Sequence, residues 1–132
     1  MGDTKTGALI ILSKNSNLKF YINTGEPLDA MISIKILENI FFKNSPLHDG
    51  AVIIGNNRIQ AARCVLPITE NENFPMHLGM RHRAAVGITE NTDAIAIVVS
   101  EQTGEISVVK NGIIKSALST EKLKSFLETV FD

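Results

Sequence analysis

Hydrophobic residues fall into short runs separated by polar turns, and the period of each run predicts its element. Residues 7–12 (GALIIL), 51–54 (AVII) and 94–100 (AIAIVVS) are continuous apolar runs without alternation. Runs of that length, rich in Ile and Val, predict strands covered on both faces. Residues 58–66 (RIQAARCVL) follow a tight turn at Asn56-Asn57 and read as a returning strand with mixed faces. Residues 105–112 (EISVVKNG) alternate and predict a strand after a turn at 101–104. Residues 18–22 (LKFYI), behind the polar stretch 13–17, read as a hairpin arm.

The period changes elsewhere. Ile32, Ile36, Leu37, Ile40 and Phe41 fall on one helical face, with Asp29 at the N-cap or first turn and Asn44-Ser45-Pro46 as the stop. Ala84, Ala85 and Ile88 predict a short helix beginning near Gly79, after a polar loop at 67–77. Leu123, Phe126, Leu127 and Val130 predict a C-terminal amphipathic helix over 119–131, capped by Ser119 or Thr120. Helices interleaved with doubly buried strands predict an α/β fold: a single domain over 1–132, with a mixed central sheet flanked by helices on both faces.

Composition narrows the class. At 132 residues the chain suffices for one domain without disulfides or a structural metal. Hydrophobic residues make up 44% and charged residues 20%, a globular balance. A net charge of −1 with no Trp removes the electrostatic and stacking footprint of a nucleic-acid binder. The single cysteine, Cys64, excludes an internal disulfide and reads as a small buried hydrophobe. No apolar run approaches the ~18 residues of a membrane helix, and no signal peptide is evident, so a reducing cytoplasmic setting is expected. The first strand begins almost at once, as in a piece cut from something larger.

Walker, dinucleotide-binding, nucleophile-elbow and zincin motifs are missing, but two segments carry chemistry. In SPLHDGAVII, residues 45–54, Asp49 and Gly50 stand just before a buried strand. A carboxylate there can hold a cation or accept a proton from a hydroxyl, and a glycine lets a ligand approach the backbone. An ordinary Asp-Gly turn explains the same letters. In LGMRHRAAVGITE, residues 78–90, Arg81, His82 and Arg83 enter a helix and include two of the chain's four arginines. Free N–H groups at a helix start and planar guanidinium donors suit phosphate. Two cations there also oppose the helix dipole, at about 0.3–1 kcal/mol each, a local inconsistency of the kind found at functional sites. Arginines two apart serve one anion only if Arg81 lies at or before the first turn. Gly87 inside that helix implies close packing against the sheet or a partner, or is simply tolerated near the helix end.

Asp49-Gly50-Ala51 and Arg81-His82-Arg83 are the two signatures of the diadenylate cyclase domain, which the chain resembles from about residue 7 to about residue 112. The flanks GALI, TGEPLDA, NSPLHDGAVII, AARCVLPIT, RHRAAVGITENTDA and VVSEQTGEISVVKNG resemble that family too, closest to its membrane-anchored branch. The resemblance implies condensation of two ATP into cyclic di-AMP with release of two pyrophosphates. Asp49 would bind a divalent ion, Mg²⁺ or Mn²⁺, and help activate the ribose 3′-hydroxyl, with Gly50 and Ala51 letting the nucleotide lie against the strand. Arg81, His82 and Arg83 would hold the ATP phosphates, and Leu66 would pack on adenine. His48 and Glu101 are further candidate metal ligands; the alternatives are a structural hydrogen bond for His48 and a solvated turn acid for Glu101. Each site holds one ATP, so a face-to-face homodimer is required for catalysis. The membrane would be reached only through an anchor outside this chain, leaving a cytoplasmic domain. Met80 stands where relatives often carry Thr, and Gln102 where they carry a second acid. Those departures keep a catalytically weak ATP or cyclic di-AMP binding module as the alternative.

Overall fold

The computed structural model describes residues 7–41, 50–71, 79–100, 103–116 and 118–131, with side chains of the last helix described as far as Phe126. Seven strands form one mixed sheet in the order β2-β4-β3-β1-β5-β6-β7. They are β1 (Ala8–Leu12), β2 (Glu26–Met31), β3 (Ala51–Gly55), β4 (Arg58–Cys64), β5 (Ile95–Val99), β6 (Ile106–Lys110) and β7 (Ile113–Lys115). The helices are α1 (Lys19–Ile22), α2 (Ile34–Phe41), α3 (Met80–Asn91) and α4 (Thr120–Phe131). Strands β1 and β3 are parallel, and every other pairing is antiparallel.

The apolar runs at the centre behave as their composition dictates. In β1, Leu9 and Ile11 join a core with Ala85, Val86 and Ile88 of α3, while Ala8 and Ile10 join a second core with Ile40 and Phe41 of α2. One strand thus feeds two hydrophobic layers, the property of a sheet covered on both sides. Helix α3 lies on β5, β6 and β1, and α1 lies on β4.

Four expectations are corrected. Residues 18–22 hold the short helix α1 rather than a strand: Leu18 is buried, and its carbonyl accepts from the amides of Tyr21 and Ile22. Asp29 is no helix cap. It sits in β2 with φ 46, where an extra residue opposite β4 makes a bulge, and Arg58 donates to its carboxylate and its carbonyl. Helix α2 begins later, and Ser33 Oγ accepts from the Ile36 amide at 3.4 Å; Ile32 lies before it, exposed. The strand predicted over 105–112 is β6 followed by a hairpin into β7, and Ser107, Val108 and Val109 are all buried, so its polar alternation does not reflect a wet face. The Asn44-Ser45-Pro46 stop lies outside the described residues.

Left-handed residues interrupt the edge strand β2 and its neighbour β4. In β2 the residue is Asp29, and in β4 it is Arg63, with φ 58. Cys64 pairs with Ala51 and Ala61 with Ile53, three steps on β4 against two on β3. The additional residue resets the alternation, so that Ala61 and Cys64 both face the α3 core while Ala62 faces the α2 core. A left-handed conformation costs an ordinary L-residue about 1–2 kcal/mol. Elsewhere, Ser16 and Asp93 tie the 13–17 loop to the start of β5. The Asp93 carboxylate accepts the amides of Asn15 (2.9 Å) and Ser16 (2.8 Å), and Ser16 Oγ accepts the Asp93 amide (3.0 Å).

Candidate active site

Strand directions gather the chemistry at one end of the sheet. Ala8 pairs with Val99, Val99 with Ile106, and Ala51 with Cys64. The first residues of β1, β3 and β6 and the last residues of β4 and β5 therefore share an end. Helix α3 returns to β5 through residues 92–94 and packs along it. A 12-residue helix spans ~18 Å and a five-residue strand ~17 Å, so the start of α3 reaches the same end. Gly50-Ala51, the first turn of α3 and the Ser100–Gly104 closure thus converge from three separate parts of the chain.

At the start of β3, Gly50 has φ +82, and a Cβ there would lie 2.8 Å from the Cys64 carbonyl oxygen and 2.9–3.0 Å from the Arg63 backbone. Only glycine meets both the angle and the contact. What approaches Gly50 is the backbone of β4, so its first duty is to fix the chain leaving Asp49. Ala51 is fully buried, its side chain in the core with Cys64. Leu66 is in that core as well, at 8% exposure, and its neighbour Val65 is the exposed apolar residue at 65%. Burial in the same core pushes the Cys64 thiol up to about 11, which keeps it unionised and inert.

Residues 65–69 carry the chain from β4 along α3. The Thr69 amide donates to the Arg83 carbonyl at 3.1 Å. One turn further on, a Cβ on Gly87 would overlap the Pro67 carbonyl oxygen. The close packing expected of Gly87 is real, and its partner is this connecting segment. Helix α3 starts at Met80, with Gly79 in extended conformation before it, no side-chain cap and no acid in the first turn. Arg81 is the second helical residue, which satisfies the condition for two arginines to serve one anion. Its Nε is buried, Arg83 is half-buried, and all three basic residues engage other groups of the protein. His82 is buried at 7% exposure, a position that anchors the first turn. Met80 is 63% exposed and offers no hydrogen-bond donor.

Asp49, His48, Glu101 and Gln102 lie outside the described residues. The Gly104 amide donates to the Ser100 carbonyl (2.8 Å), and Thr103 and Gly104 wall an open cleft with Ile106, Leu118 and Ser119. Among the described residues no cluster of His, Cys, Asp and Glu could hold a metal ion. Arg63 escapes sequence reading altogether. RIQAARC looks like an unbroken strand, and nothing in it announces a bulge beside Gly50.

Comparison with known proteins places these features in a family. Residues 1–114 match the family model DAC, described as DisA bacterial checkpoint controller nucleotide-binding. The chain is 50% identical over 131 residues to "Cyclic di-AMP synthase CdaA" of Bacillus subtilis, covering 99% of this chain and 48% of the relative. It is 48% identical over 127 residues to "Diadenylate cyclase" of Listeria monocytogenes, covering 96% and 46% respectively. The chain thus spans about half the length of the curated relatives it matches. Among solved structures, a double mutant of DacA from Staphylococcus aureus superposes with a TM-score of 0.96 at 43% identity, covering 100% of this chain and 89% of that one. A "hypothetical membrane spanning protein" from Bacillus cereus gives 0.86 at 43% identity, covering 89% and 58%.

Proposed function

We propose a diadenylate cyclase from one premise: the chain belongs to the DAC nucleotide-binding family. The reaction is condensation of two ATP into cyclic di-AMP and two pyrophosphates. The observation that carries this reading is the convergence of Gly50-Ala51, the first turn of α3 and the 100–104 turn at one end of the sheet. Phosphoryl transfer asks a protein for positioning and charge neutralisation, and a rigid sheet end with basic residues supplies both.

In this reading Arg81, His82 and Arg83 hold the triphosphate, the two arginines with planar donors. Asp49, next to the left-handed Gly50 in sequence, accepts the proton of the ribose 3′-hydroxyl. Leu66 and its neighbours form the floor on which adenine rests. Asp49, with His48 and Glu101 as further donors, would hold Mg²⁺ or Mn²⁺, which supplies charge neutralisation at the phosphates. One site accommodates one ATP, so two copies meet face to face in a homodimer and each 3′-hydroxyl attacks the partner's α-phosphate. That contact is isologous. No helix among the described residues is long and apolar enough to cross a membrane, and a parent protein anchored at the membrane fits this domain as its cytoplasmic part.

Mass spectrometry of the products formed from ATP with Mg²⁺ or Mn²⁺ tests the reading. Cyclic di-AMP and pyrophosphate are expected, and Asp49→Asn abolishes them while retaining most ATP binding. Undiminished turnover in Asp49→Asn refutes the assignment. The second reading, a binding module without turnover, draws on the exposed thioether of Met80 at the first position of α3. ATP bound but recovered intact under both metals selects it.

A further inference from the structure

Two of the four arginines belong to the first turn of α3, and a third, Arg58, is committed to Asp29. The fourth, Arg63, is exposed, and among the described residues its guanidinium forms no hydrogen bond or ion pair. We infer that Arg63 is a third phosphate-binding arginine of the nucleotide site, approaching the phosphate chain from β4 while Arg81 and Arg83 approach from α3. The inference rests on the nucleotide-site reading above and adds a residue to it.

Three observations carry it. The first is conformational. Arg63 holds φ 58 at the next-to-last position of β4, at a bulge that glycine or asparagine would form with less strain. The comparable bulge in β2 is occupied by Asp29, a residue type that tolerates the left-handed region, and Arg58 fastens it there. Arg63 has neither the tolerance nor the fastening. An outlier that the fold does not explain points to function.

The second is place. The Arg63 backbone lies 2.9–3.0 Å from where a Gly50 Cβ would stand, so the two left-handed residues touch. Arg63 thereby stands against the first residues of β3, at the sheet end where β4, β3 and α3 converge. The third is rigidity. Strand β4 is paired on both sides, with β2 and β3, so the bulge is held from two directions. The backbone beneath the guanidinium is thus fixed, and only the side-chain torsions remain to be ordered when it meets a polyanion.

The test compares wild type with Arg63→Ala, Arg63→Gly and Arg63→Lys by calorimetric titration with ATP and Mg²⁺, by NMR titration with adenosine, and by thermal melting. Alanine removes the guanidinium and keeps the strained backbone; glycine removes both. Both variants are expected to weaken ATP binding roughly tenfold, the effect of one charge-assisted contact, with lysine between them and wild type. Adenosine binding stays at the wild-type value, and Arg63→Gly melts above Arg63→Ala. An Arg63→Ala variant that binds ATP within about twofold of wild type overturns the inference, as does an equal loss for adenosine, which would mark a change of shape. Arg83→Ala is the control that keeps the two readings apart. If it loses ATP and Arg63→Ala does not, the nucleotide site stands and Arg63 leaves it. A wild-type chain that binds no ATP overturns both.

Discussion

Two residues show how small a change this site can bear. A Cβ at Gly87 overlaps the Pro67 carbonyl, a backbone atom that cannot swing aside. Gly87→Ala is therefore expected to push residues 65–69 off α3, and to cost about 1–3 kcal/mol as overpacking does. Chemical denaturation measures the loss, and weaker ATP binding should accompany it, because Thr69 holds the carbonyl of Arg83. If Arg83 holds phosphate as proposed, Arg83→Ala removes a charge-assisted contact worth about 1.5–3 kcal/mol, and the ATP dissociation constant should rise roughly ten- to a hundredfold. Unchanged affinity would remove Arg83 from the phosphate site. Arg81-His82-Arg83 is legible in the sequence because three cationic-type residues at a helix start contradict the dipole. Arg63 is not, because a bulge leaves no trace in the hydropathy of a strand; only the pairing of Cys64 with Ala51 reveals it.

Among the elements, continuous apolar runs were the readable ones. Residues 51–54 and 94–100 predict β3 and β5 because side chains covered on both faces need no polar alternation. Where one neighbour decides the outcome, the letters mislead. Residues 18–22 have the composition of a strand, yet a single buried residue, Leu18, and the surface of β4 turn them into α1. Strand β2 contains Pro27 and Asp29, poor strand formers, and exists because β4 pairs with it. The hairpin from β6 to β7 was marked by Asn111-Gly112, both left-handed, a turn signal that the prediction took for a strand's end. The 13–17 loop depends on Asp93 in the same tertiary way. Partial desolvation raises the pKa of that carboxyl, but hydrogen bonds from the Ser16 amide and hydroxyl and the Asn15 amide outweigh it and hold the group below its ordinary value. A depressed folded pKa stabilises above the unfolded value and is lost as the pH falls through the folded one. Asp93→Asn is therefore expected to destabilise the domain at neutral pH. The gap to wild type should narrow as the pH falls below the ordinary carboxylate range, which urea titrations at neutral and at acid pH would show.

For the whole molecule, the fold brings Gly50-Ala51, the first turn of α3 and the Ser100–Gly104 closure to one end of the sheet. The face-to-face homodimer proposed as the working form has a simple signature. Specific activity should fall on dilution below the assembly range and recover on concentration; a flat profile would mean that a single copy completes the reaction. The sides of the sheet tell a complementary story. On one flank, β2 is broken by Pro27, by the left-handed Asp29 and by its ion pair with Arg58. On the other, β7 runs for only three residues. Open strand edges are where sheets recruit further strands, and these two offer little backbone to recruit with. The molecule is closed to sideways growth, so crowding it should favour pairs over fibres.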